Sequence, residues 1–151
     1  MALNDDIVLL SNVPLFADIS EDKLRLIAFG AERRRIFKGQ ELFREGAPAD
    51  CAYAIASGSL SLSKVGVDGA ATAVSTVSRG ALLSELALIS MVEREFTATA
   101  EEDSEVIRIN RPLFRRMLEE YPEVAELVEA RIRENLQAMI RRAGALAGRF
   151  A

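Results

Sequence analysis

Glycine placement constrains this chain more than any other feature. Seven of its nine glycines fall between Gly30 and Gly80, and the other two are Gly144 and Gly148. Glycine costs an interior helical position roughly 1 kcal/mol, and it supplies the positive φ that tight turns need. A stretch punctuated this densely folds as short strands joined by turns. The glycine-poor flanks are left free for helices.

The hydrophobic period agrees with that division. Ser11-Asn12-Val13-Pro14-Leu15-Phe16 reads as a short turn that plants Leu15 and Phe16 on a core. Ser20 is placed to N-cap a helix whose first turn carries Glu21 and Asp22, with Leu24, Ile27 and Ala28 on one face and Gly30 as its stop. From about residue 31 to residue 109 the pattern is alternation between turns. Ile36-Phe37 and Glu41-Leu42-Phe43 flank Gly39, Glu45 to Asp50 is a turn cluster, and Tyr53 and Ile55 alternate with Ala54 and Ala56. Gly58 follows, then Leu60 and Leu62, then a hairpin tip at Gly66-Val67-Asp68-Gly69, a β-rich Thr72–Val77 and a last strand over Ser104–Ile109. After Asn110 the period becomes helical. Asn110 caps, Pro112 sits in the first turn, and Leu113, Phe114, Met117, Leu118 and Tyr121 share a face. Pro122 then starts a longer helix with a stripe of Val124, Leu127, Val128, Ile132, Leu136, Met139, Ile140, Ala143 and Leu146.

These elements predict an α+β, mainly β fold: a small antiparallel barrel or sandwich between helices. With 151 residues, it is expected as a single domain over 1–151. The parts are N-terminal helices over 1–30, β-structure over 31–109, a helix over 110–121 and a long helix over 122–146.

Composition then removes whole classes of chemistry. The chain has no histidine, which excludes histidine triads, histidine metal sites and a histidine pH switch. Its single cysteine, Cys51, excludes an intrachain disulfide and reads as a small buried core residue. A net charge of −4 argues against a nucleic-acid-binding surface. No segment is long and apolar enough for a leader or a membrane span, so a cytoplasmic location is expected. No nucleophile–base pair or metal cluster appears, so the chain is expected to be a binding module rather than an enzyme. Arg33-Arg34-Arg35 reads as a solvated helix end. Residues 131–151 are basic, with five arginines against Glu134.

The informative stretch is Arg79 to Ala100. Glu85 to Ile89 can form one helical turn, and Arg94 follows Glu85 by nine residues. A turn rich in free amides, a guanidinium fork and a carboxylate together suit a sugar phosphate: arginine binds the phosphate and glutamate accepts from a sugar hydroxyl.

Leu83-Ser84-Glu85-Leu86-Ala87-Leu88 followed by Arg94-Glu95-Phe96-Thr97-Ala98-Thr99-Ala100 resembles the phosphate-binding cassette of the cyclic nucleotide-binding domain family, of catabolite activator and protein kinase A regulatory subunit type. Lys38-Gly39-Gln40-Glu41-Leu42, Gly46-Ala47-Pro48, Tyr53-Ala54-Ile55 with Gly58, and Val13-Pro14-Leu15-Phe16 resemble that family's other elements, in order. The likeness covers roughly residues 10–146.

The resemblance implies a double-stranded β-helix, or jelly-roll-like β-roll, with the cassette at 80–100, N-terminal helices and two C-terminal helices. It implies a ligand-binding set of Ser84, Glu85, Leu86, Ala87, Arg94, Glu95 and Phe96. Glu85 would hold the ribose 2′-hydroxyl beside the Ser84 amide. The amides of Ala87 and Glu95, with the Arg94 side chain, would hold the cyclic phosphate. The ligand would be cAMP, in preference to cGMP, with no cofactor and no metal. In related dimeric members polar side chains of the long helix help hold the base, and the matching stretch here lies near Met139 and Ile140.

Three residues depart from the family pattern. Ser84 replaces a glycine, and Glu95 and Phe96 replace small residues. A Glu95 carboxylate about 4 Å from a bound phosphate would oppose it by roughly 4 kcal/mol at an effective dielectric near 20, and by almost nothing once turned to solvent. Glu93 either adds to the local negative field or pairs with Arg94 when the site is empty.

Two functions follow. One is a cyclic nucleotide-binding regulatory module that relays occupancy through its C-terminal helices to a homodimer formed over 122–146, or to an effector protein of unknown identity. The other is a degenerate domain that keeps a Glu85–Arg94 salt bridge, binds no nucleotide and serves as a dimerisation or protein-interaction scaffold.

Overall fold

The computed structural model describes the backbone of residues 2–150 and the side chains of residues 4–141. Ala143 and Leu146 of the apolar stripe, and Arg142 and Arg149 of its basic flank, lie outside the described side chains. Helix α1 (Ala2–Ser11), a 3-10 turn at Pro14–Phe16 and helix α2 (Glu21–Gly30) precede the β-structure. Ten strands follow: β1 (Glu32–Ile36), β2 (Glu41–Phe43), β3 (Pro48–Ala49), β4 (Cys51–Ser57), β5 (Ser59–Val65), β6 (Ala71–Ser78), β7 (Leu82–Leu83), β8 (Val92–Glu93), β9 (Thr97–Ala100) and β10 (Ser104–Asn110). A second 3-10 turn, Glu85–Leu88, lies between β7 and β8. Helices α3 (Arg111–Glu120) and α4 (Pro122–Phe150) complete the chain's order.

The strands form two four-stranded antiparallel sheets, ordered β1-β10-β4-β7 and β2-β9-β5-β6, with a small β3-β8 pair beside them. This is the β-roll that the glycine spacing and the family resemblance predict. Strand β4 is buried from Cys51 to Ala56 because both of its faces are covered. Cys51, Tyr53 and Ile55 point into the roll, beside Leu60, Leu62 and Val106. Ala52, Ala54 and Ala56 point outward, where small side chains let the helices approach. Ile107 and Ile109 of β10 share that outer face with Leu10, Phe16, Ile27, Phe114, Met117 and the α4 residues Val124, Val128 and Ile132. Each fully buried aliphatic side chain contributes about 1.5–3 kcal/mol, so the outer core fixes where α3 and α4 lie on the sheet.

Local signals at the helix ends come out as the sequence indicates, with one exception. The Asn110 side chain accepts from the Leu113 amide at 2.8 Å, and α4 begins at Pro122. Ser20 occupies the N-cap position of α2, but its hydroxyl makes no capping bond. Arg131 anchors α4 to the N-terminal turn: its guanidinium donates to the carbonyls of Leu15 (3.2 Å) and Ala17 and to Asp18 Oδ2 (3.0 Å).

One expectation is corrected. Arg33-Arg34-Arg35 is not a helix end. These residues form β1, an edge strand that pairs only with β10. Charges on an edge discourage pairing with another chain. Arg33 also bridges Asp6 of α1 and Glu105 of β10. In addition, the expected turn cluster at 45–50 contains the two-residue strand β3, which pairs with β8.

Gly58 joins β4 to β5 at φ +85°, and a Cβ there would lie 2.1 Å from Ser104 Oγ and 2.8 Å from the Asp103 carbonyl oxygen. Left-handed backbone alone costs an L-residue about 1–2 kcal/mol. Gly58→Ala is therefore expected to lower unfolding free energy by about 2–3 kcal/mol in urea denaturation. An unchanged midpoint would show that the turn relaxes freely.

Candidate functional site

The segment between β6 and β10 returns across the mouth of the roll and, with β5 and α4, encloses a cavity of about 760 Å³. Of the expected site residues, Ser84, Glu85, Leu86, Arg94, Glu95 and Phe96 line it together. Ala87 does not. Its side chain is fully buried beneath the 3-10 turn, and its amide donates to the Ser84 carbonyl at 3.0 Å.

Ser84 opens the turn at φ +64°, ψ +43°, so it holds the left-handed conformation that a glycine would take without strain.

Arg94 has an unusual environment. Its backbone is pinned by reciprocal bonds with the Gly46-Ala47 turn, Arg94 N to Ala47 O and Gly46 N to Arg94 O, both 2.8 Å. Its side chain is only 4% exposed. Nη1 donates to the Cys51 carbonyl at 2.8 Å, and Nη2 donates to Cys51 Sγ at 3.1 Å. The guanidinium lies 4.6 Å from the Phe43 ring centroid and 5.3 Å from that of Tyr53. Nε is buried with no hydrogen-bond partner. No carboxylate pairs with Arg94 among the described residues. The Glu85–Arg94 and Glu93–Arg94 pairs considered from sequence are both absent there. Glu93 and Glu95 are exposed at the cavity rim, where water screens them. A buried guanidinium held by neutral acceptors and two aromatic faces has no carboxylate in contact beside the cavity among the described residues, and the nearby Asp50 carboxylate feels its field without pairing with it.

Glu85 is half-buried, and its carboxylate accepts from Asn135 Nδ2 of α4, at 3.1 Å to Oε1 and 3.3 Å to Oε2. Burial pushes its carboxyl above the ordinary carboxylate range, and the Asn135 bond pulls it part of the way back.

Several contributors were not recognised in the sequence. Asn135, Lys64, Phe43 and Glu45 all line the cavity. Lys64 lies over the Phe96 ring at 5.6 Å, and Glu45 accepts from the Val65 amide at 3.0 Å. Helical spacing could have found Asn135, since it follows buried Ile132 by three residues and so faces the roll. Near Met139 and Ile140 the long helix contributes one of the two residues. Met139 lines the cavity, whereas Ile140 is 61% exposed and does not. Arg111, at the start of α3, donates to the carbonyls of Ala87 (2.8 Å) and Ala49 (2.6 Å), tying the helix to the loop that carries the site.

The family model of the cyclic nucleotide-binding domain matches residues 33–121. A solved cyclic nucleotide-binding-like protein from Brucella abortus is 48% identical, with a TM-score of 0.69, over 76% of this chain and 98% of that one. The regulatory domain of Toxoplasma gondii PKA, solved with cAMP, is 27% identical with a TM-score of 0.71, over 76% of this chain and 44% of that one. An uncharacterized NTE family protein of Mycobacterium tuberculosis is 34% identical over 113 residues. That match covers 75% of this chain but only 19% of the relative, so the chain spans about a fifth of the length of such relatives.

The Glu85 environment yields a prediction. A carboxyl with a raised folded-state pKa binds its proton more tightly folded than unfolded. Stability from this group is therefore present below the unfolded value and is lost as pH rises through the folded one. Glu85→Gln should raise the melting temperature of the ligand-free protein at pH 7, and the gain should shrink as pH falls toward 4.5. Calorimetric melting across that range checks it. A melting temperature lowered at pH 7 would mean that the charged form is favoured by the fold.

Proposed function

The chain belongs to the cyclic nucleotide-binding domain family, and on that premise we propose that its cavity takes a cyclic nucleotide and that the domain is a regulatory module. The observation that carries this reading is Arg94: a buried guanidinium without a carboxylate partner among the described residues, and with an unpartnered Nε, beside a cavity large enough for a nucleotide. An anion is the missing partner. The cyclic phosphate would take guanidinium donors that now point at Cys51, and Glu85 would accept from the ribose 2′-hydroxyl. The exposure of Glu95 removes most of the repulsion that its position suggests.

The apolar part of the lining supports adenine, beside the polar Glu45, Lys64 and Asn135. Leu62, Val77, Leu82, Phe96, Leu136 and Met139 present apolar surface. Guanine carries more polar edge groups than adenine, and each one buried without a partner costs about 1–3 kcal/mol. Hence cAMP is proposed in preference to cGMP.

Relay has a path as well. Arg111 ties the Ala87 carbonyl to α3, and Asn135 ties Glu85 to α4, so a shift of the 80–100 segment bears on both helices. Leu136, Met139 and Ile140 are 39%, 46% and 61% exposed, which supports a homodimer contact along α4 or an effector docked there. No helix among the described residues is long and apolar enough to cross a membrane, which is compatible with action in the cytoplasm. A scaffold that binds nothing would have little reason to bury an unpaired arginine beside a cavity.

Isothermal calorimetry should show saturable cAMP binding that weakens about a hundredfold or more in Arg94→Ala, as expected when a buried charged hydrogen-bond donor to phosphate is removed. Arg94→Ala should remain folded, because it also removes a buried charge that no carboxylate contacts among the described residues. No heat with millimolar cAMP or cGMP would overturn the reading in favour of the scaffold.

A further inference from the structure

The contact between Asn135 and Glu85 goes beyond holding α4 in place. We propose that Asn135 is a specificity-determining residue. It donates to the Glu85 carboxylate, so a nucleotide gains from Glu85 only if it brings a 2′-hydroxyl to replace the Asn135 amide. This rests on the reading that the cavity takes a cyclic nucleotide.

The chemistry is a competition between donors. An ionised carboxylate only accepts hydrogen bonds. Asn135 Nδ2 lies within 3.1 and 3.3 Å of its two oxygens, so one amide covers the edge shared by both. A sugar hydroxyl reaching the same edge is also a donor, and it competes with the amide for the lone pairs on that edge. A deoxy sugar has no donor there and leaves the Asn135 bond intact.

Geometry gives the exchange its leverage. The buried stripe of α4 runs through Val124, Val128 and Ile132, and Arg131 holds the helix to the N-terminal turn. Past Ile132, the Asn135 bond to Glu85 ties α4 to the segment that carries the site. Leu136 and Met139 beyond it line the cavity while remaining partly exposed. Loss of the Asn135 bond therefore acts on the part of α4 that covers the ligand. Glu85 has no cation within ion-pair distance among the described residues, so the amide is the donor it stands to lose.

The test compares dissociation constants for cAMP and 2′-deoxy-cAMP in the wild-type chain and in Asn135→Leu, which keeps the bulk and removes the donor. Asn135→Ala serves as a second variant. Asn135 is exposed, so both variants are expected to fold. The proposal predicts that cAMP binds about three- to tenfold more tightly to each variant, the worth of one released hydrogen bond, while 2′-deoxy-cAMP changes by less than about twofold. Equal changes for both nucleotides would reduce Asn135 to a packing residue and overturn the proposal. Weaker cAMP binding in the variants would overturn it too, by showing that Asn135 holds Glu85 ready rather than competing for it. A second readout uses no nucleotide: carbon-13 NMR titration of the Glu85 carboxyl should move further upward in Asn135→Leu, and an unchanged titration would remove the bond on which the proposal depends. If neither wild type nor variants bind either nucleotide, the nucleotide reading falls and the exchange falls with it. The carboxyl titration then still distinguishes that failure from an absent bond.

Discussion

The positive charge on Arg94 is the constraint around which the roll is organised. Taking a guanidinium out of water costs several kcal/mol unless an acid or good acceptors replace the water. Here β4 supplies the Cys51 carbonyl and thiol, while β2 and β4 supply the Phe43 and Tyr53 ring faces. Cation–π contacts return about 2 kcal/mol each when desolvated, and they leave the charge unneutralised. The Gly46-Ala47 turn clamps the Arg94 backbone so that the side chain has little freedom to reach bulk water. The result is a fixed charge kept dry, in which an arriving anion interacts more strongly than it would with an exposed arginine.

The helices are anchored through backbone carbonyls as well as through the side-chain pair of Asn135 and Glu85. Arg111 spans from α3 to Ala87 and Ala49, on the two segments that flank the site. Arg131 spans from α4 to the Leu15 and Ala17 carbonyls. Between them, the outward alanines of β4 set how closely the helices pack, while the alternate residues of the same strand meet Arg94. One strand thus carries both the site and the floor on which the helices rest. A displacement of either is felt by the other because packed interiors shift between discrete arrangements rather than deforming smoothly.

What could be read from the sequence was what depends on nearby residues. The Gly58 and Gly69 turns, the Asn110 cap and the break at Pro122 each follow from two or three neighbouring residues. Glu85 and Arg94, nine residues apart, both line the cavity. Features that escaped depend on distant partners. Cys51 was recognised as buried, but its role as the acceptor for Arg94, 43 residues away, has no local signature. The pairing of Asn135 with Glu85 crosses 50 residues. Arg33-Arg34-Arg35 was misread because a charged edge strand shows no apolar alternation. Its strand character comes from its pairing with β10.

The central claim is that a ligand's phosphate is the counter-charge for Arg94. A crystal structure with cAMP soaked into the cavity tests this most directly. The account predicts the cyclic phosphate within hydrogen-bond distance of the Arg94 guanidinium, with at least one donor released from Cys51. Nucleotide bound elsewhere, with Arg94 still donating to the Cys51 carbonyl and sulfur, would contradict it.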